Sequence, residues 1–114
     1  MSVRITGDML ALDKRLQRMI KSQVTAIEES FPKREFEIQA RITEEFDQLH
    51  GHRVRCELVA ISPERQQVII REAQKKAEDA IKAAFTGLNQ RLRRLRLRRF
   101  EKAPEAPNLR ATGT

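Results

Sequence analysis

At 114 residues the chain has room for one small domain and a short tail, not for two independent cores. Hydrophobic residues make up 39% and charged residues 34%, with five Phe and no Trp or Tyr, which fits a soluble fold and excludes an aromatic platform that stacks bases in series. The formal net charge of +7 turns attention to an acidic partner.

No apolar run approaches the roughly 20 residues a membrane span needs, and Met1 to Gly7 lack a basic stretch followed by an apolar signal core, so a cytoplasmic protein without a membrane partner is expected. The single cysteine, Cys56, cannot form an internal disulfide and sits in an alternating apolar segment. It reads as a small buried thiol in a reducing compartment.

Val3 and Ile5 alternate with polar neighbours from Ser2 to Thr6 and Gly7 closes the run, which predicts a first strand. From Asp13 the period changes. Leu16, Ile20, Val24, Ile27 and Phe31 recur at spacings of three and four, the stripe of an amphipathic helix with Asp13 as its N-cap and Pro32 as its stop. Lys14, Arg15, Arg18 and Lys21 occupy its first half while Glu28 and Glu29 occupy its last turn, an order that opposes the helix dipole and leaves a basic N-terminal half.

Phe36, Ile38, Ala40 and Ile42 alternate with Glu37, Gln39, Arg41 and Thr43, a second strand with one wet face. Asp47 to His52 are expected to form a loop, and Val54, Cys56, Leu58 and Ala60 then line the inner face of a third strand. Ser62-Pro63-Glu64-Arg65 has proline where a type I turn takes it, so Gln67 to Arg71 should return as a hairpin strand with Val68 and Ile70 inward. Val59, Ile61 and Ile69 fall on the opposite face among Arg55, Glu57 and Arg71. They are either scattered surface aliphatics or the contact of a weak homodimer through the open sheet face.

Helical period is expected from Ala73 onward: Ala77, Ile81, Ala84, Leu88, Leu92 and Leu95 form one stripe of a helix running to about Arg98 and interrupted at Gly87. Advancing about 100° per residue, Arg91, Arg94 and Arg98 share one flank of that stripe, with Arg93 opposite and Arg96 on the other side. Residues 101–114, with Pro104, Pro107 and Gly113, have no periodicity and read as a disordered tail beyond a domain of residues 1–100. The order of elements implies an α+β fold of type βαβββα, a four-stranded mixed sheet with two helices packed on one face.

Charge is concentrated within that order. Residues 71–102 hold eleven basic and four acidic residues, the whole net excess, and six of the nine residues from Arg91 to Arg99 are arginine. A stretch this one-sided repels itself unless a polyanion neutralises it. Catalytic signatures are missing by contrast: no Gly-rich phosphate loop, nucleophile elbow or CxxC occurs, and Glu44 and Glu45 are strand neighbours pointing to opposite faces. His50-Gly51-His52 with Asp47 or Glu45 is weak evidence for a metal, and solvated loop histidines are the expectation. A non-enzyme with no cofactor, metal or small-molecule substrate is therefore expected.

Ile5-Thr6-Gly7, a six-residue connection into a helix ending at Phe31, three strands, then Ala80-Ile81 leading to Leu88, Leu92 and a basic run, together resemble the ribosome hibernation promoting factors and protein Y translation inhibitors over residues 3 to 98. The resemblance implies a βαβββα fold similar to a double-stranded RNA-binding domain, and binding to the small ribosomal subunit in the channel used by transfer and messenger RNA. It assigns rRNA contact to Arg91, Arg94 and Arg96, and with them Lys14, Arg15, Arg18 and Lys21 of the first helix. Arg93, Arg98, Lys75, Lys76 and Lys82 complete the candidate rRNA-binding set. Where family members usually carry a tyrosine and a lysine, this chain reads Lys76-Ala77-Glu78-Asp79 and Thr86-Gly87-Leu88. Its length suits a short form without the second, dimerising domain of long hibernation factors. Two alternatives stand beside this reading: a general structured-RNA-binding module of related fold, and an adaptor that uses the arginine helix against an acidic protein.

Overall fold

Alternation decides which way each strand faces. In the computed structural model, which describes residues 2–32 and 35–102 and side chains through residue 95, the even-numbered residues Ile38, Ala40, Ile42, Val54, Cys56, Leu58, Ala60 and Val68 all turn to one side of the sheet and are buried. The strands are β1 (Ser2–Gly7), β2 (Glu37–Asp47), β3 (Gly51–Ile61) and β4 (Gln67–Gln74), with helices α1 (Lys14–Ser30) and α2 (Ala77–Lys102). Sheet order follows the chain, β1 pairing parallel with β2 and the others antiparallel. The βαβββα order, the mixed sheet and the two helices on one face agree with the sequence reading.

The α1 stripe is buried as its spacing requires: Leu16, Ile20, Val24 and Ile27 are 2%, 0%, 4% and 3% exposed. Asp13 Oδ1 accepts from the backbone N–H of Arg15 at 2.8 Å and of Leu16 at 3.3 Å, so the N-cap is as predicted, and Phe31 stands at the C-cap before Pro32. From α2 come Ala80, Ile81, Ala84, Phe85, Leu88 and Leu92, which close the core against β3 and β4. Each large aliphatic buried there contributes about 1.5–3 kcal/mol.

Four local readings are corrected. The loop expected at Asp47 to His52 spans only residues 48–50, because β2 and β3 stay paired through Glu45–Arg53, Phe46–His52 and Asp47–Gly51. The fourth strand runs to Gln74, where Glu72, Ala73 and Gln74 pair with Cys56, Arg55 and Val54; helix therefore starts at Ala77 and not Ala73. Gly87 does not interrupt α2, since it lies against Ile70, where a Cβ would meet Cγ2 at 3.4 Å in ordinary contact. A 3-10 turn, Met9–Leu12, occupies part of the connection into α1.

That turn is fixed by Asp8, whose Oδ2 accepts from Glu44 N at 2.7 Å and whose Oδ1 accepts from Leu10 N at 3.0 Å. These two N–H groups, Glu44 first, hold its carboxyl below the ordinary range. Gly7 beside it has φ +139°, and a Cβ there would lie 1.9 Å from the Ile42 carbonyl oxygen, so no other residue fits without moving β2. The predicted proline turn closes with Arg65 N donating to Ser62 O at 2.9 Å.

Candidate nucleic-acid interface

Chain direction decides where the basic residues lie. Each helix returns antiparallel to the strand before it, β1 for α1 and β4 for α2, and those strands run the same way through the sheet; the helices are therefore parallel neighbours. Their first turns are joined by Arg15 Nη2 to Glu78 Oε2 at 2.8 Å. Lys14, Arg15, Arg18 and Lys21 thus sit beside the start of α2. From Glu78 to Arg91 is thirteen positions, which at 1.5 Å each is roughly 20 Å along the helix axis.

The Arg15–Glu78 contact also tells which flank of α2 faces α1. At about 100° per residue, Lys82 and Arg93 lie within about 60° of Glu78, on the α1 side, whereas Arg91 and Arg94 lie on the far flank. Arg91, Arg93 and Arg94 are all exposed, while Leu92 is 3% exposed and Leu95 is half-buried against the core. Arg96 and Arg98 continue in the helix, with side chains outside the described residues, as is the tail from residue 103. The candidate set accordingly divides into two groups. Lys14, Arg15, Arg18, Lys21, Lys75, Lys76 and Lys82 gather at the start of the helices, and Arg91, Arg93 and Arg94 lie toward the end of α2.

Nearly all of these cations whose side chains are described lack acidic partners. Arg15 is paired with Glu78, but Lys14, Arg18, Lys21, Lys75, Lys76, Lys82, Arg91, Arg93 and Arg94 form no ion pair among the described residues. Guanidinium and ammonium groups left this way bind phosphate oxygens well, arginine by a two-pronged fork and lysine as a point charge. Each phosphate neutralised releases counterions.

Burial pushes the Cys56 thiol up to about 12, leaving it protonated and unreactive. His50 Nδ1 lies 3.1 Å from Asp47 Oδ2, and His52 Nε2 lies 2.5 Å from Glu44 Oε2. His52 therefore belongs to β3 and not to a solvated loop, a correction that follows from the longer hairpin. No group of three or more His, Cys, Asp or Glu that could hold a metal is gathered among the described residues. Sequence reasoning missed Arg53, which stands beside His50, Lys75 and Lys76 at the end of the hairpin. The unpredicted strand extension hid it.

The geometry is that of a small α+β domain with unpaired cations along its helical layer among the described residues. The chain belongs to the family described as Sigma 54 modulation protein / S30EA ribosomal protein, whose model matches residues 3–99. Among solved structures it is similar to the Thermus thermophilus Protein Y N-terminal domain, with TM-score 0.68 and 14% identity, covering 83% of this chain and 99% of that one. It is likewise similar to a ribosomal subunit interface protein from Coxiella burnetii, with TM-score 0.69 and 10% identity, covering 85% of this chain and 99% of that one. At such identities the likeness is one of fold. A search among curated proteins returned no match. The resemblance carried by Ile5-Thr6-Gly7 and the Ala80-Ile81 helix holds at the level of the family. No helix among the described residues is long and apolar enough to cross a membrane.

Proposed function

We propose that the chain is a cytoplasmic, non-catalytic translation inhibitor that binds small-subunit rRNA through its basic helical surface and occludes the channel used by transfer and messenger RNA. The observation that carries this reading is the set of exposed arginines on both flanks of α2, Arg91, Arg93 and Arg94, free of acidic partners among the described residues in a member of a ribosomal protein family. The ribosome-binding domain would run to the end of α2 at Lys102, two residues past the boundary expected from the sequence, and the tail would begin at residue 103. Occlusion needs no reaction, which suits a chain whose one thiol is buried.

Sucrose-gradient sedimentation with separated subunits at low and moderate salt tests it. The chain co-migrates with the small subunit and lowers translation in vitro, and Arg91→Glu/Arg94→Glu/Arg98→Glu abolishes co-migration with the fold intact by circular dichroism. Wild-type protein left at the top of the gradient at both salts would overturn the proposal.

A further inference from the structure

The β2–β3 hairpin outruns β4. β3 begins at Gly51, but β4 ends at Gln74 opposite Val54, so the first residues of β3 have no strand on that side and the chain crosses the gap as it turns into α2. There a cleft of about 420 Å³ opens, lined by His50, Arg53, Gln74, Lys75, Lys76 and Asp79. Arg53 Nη2 donates to the Ala73 carbonyl at 2.5 Å, which fixes the guanidinium at the cleft while its other N–H groups stay available. Asp47 holds His50 by Nδ1 alone, leaving Nε2 for a ligand. Lys75 and Lys76 have no ion pair among the described residues. Asp79 is the one carboxylate lining the cleft, against Arg53, Lys75 and Lys76, with Asp47 on His50 and Glu45 opposite Arg53 at its edge, and Asp79 lies in the first turn of α2 where the helix dipole already favours negative charge.

We infer that this cleft binds a backbone phosphate of structured RNA, a second contact separate from the arginines near the end of α2. The inference rests on the RNA-binding reading above. A fixed fork beside two ammonium groups matches the geometry of phosphate oxygens. Fourteen positions separate Ala77 from Arg91, roughly 21 Å of helix, so one phosphate cannot reach both places. A ligand with phosphates along its length engages them together.

The test titrates the ¹⁵N-labelled full chain with an RNA duplex of about twenty base pairs and, separately, with ADP. The duplex shifts the amides of Arg53, Gln74, Lys75 and Lys76 together with those of Arg91 and Arg94. Lys75→Gln/Lys76→Gln weakens duplex binding about tenfold and lowers the salt slope by about one. Arg4→Gln/Arg41→Gln, which removes equal charge from the other side of the sheet, leaves both near wild type. Three results would overturn the inference: cleft amides that do not move, two double variants that weaken binding equally, or ADP filling the cleft at lower concentration than the duplex. The probe is free RNA, so a chain that fails to sediment with ribosomes sinks the preceding proposal while the cleft is scored on its own.

Discussion

On the outer face of the sheet, Arg55 Nε lies 2.8 Å from Glu45 and Arg71 Nε lies 2.9 Å from Glu57, whereas in the helical layer Arg91, Arg93 and Arg94 meet no acidic group among the described residues. The same residue type thus does two jobs. Cross-strand pairing satisfies charge within the fold and leaves little for a partner, while unpaired cations on a helix repel one another and stay available to an anion. Net charge alone would not separate these faces. What matters is which cations the fold has already neutralised.

The largest effect expected from breaking this contrast is on stability. Leu88 is fully buried beneath the helical layer, so Leu88→Ala should cost about 2–5 kcal/mol in urea denaturation. Ile69→Ser, at a position 43% exposed on the outer face, should stay within about 0.5 kcal/mol. A loss at Ile69 as large as that at Leu88 would mean that the outer face is covered in solution, and gel filtration of the variant would then report whether the cover is a second copy.

A smaller effect concerns acid. Hydrogen bonding from Arg55, the leading cause, holds the Glu45 carboxyl below its ordinary value of 4.5. Its folded pKa is depressed, so the pair's contribution is fully present above the unfolded value and is lost as pH falls through the lower folded one. Arg55→Gln should therefore flatten the acid limb of thermal stability below about pH 4.5, with a smaller effect than Leu88→Ala because the pair is solvent-exposed. An unchanged acid limb would show that the pair does not form in solution.

Much of the fold is legible in the sequence. The Asp13 cap and the stripe from Leu16 to Phe31 define α1 because every buried position there is apolar and the cap has no competing role. The hairpin extension was not readable, since Glu44, Glu45, Asp47, His50 and His52 show no apolar alternation. Pairing there is held by backbone bonds and contacts such as His52–Glu44 and not by a buried apolar face. The β4 overrun to Gln74 escaped for the same reason. Candidate cations could be named from composition and resemblance, but their division into two groups depends on helix direction. Sheet topology sets that direction, and the Arg15–Glu78 contact, invisible in a linear sequence, fixes the flank on which Arg91 and Arg94 lie.

The most direct measurement is the salt dependence of small-subunit affinity for two variants that lose the same charge, Arg91→Gln/Arg94→Gln on α2 and Arg55→Gln/Arg71→Gln on the outer face. Unpaired helical cations as the binding surface predict that the slope of log K against log salt falls by about one to two for the first and stays at the wild-type value for the second. Equal falls for both variants would contradict the account and leave net charge as the only determinant.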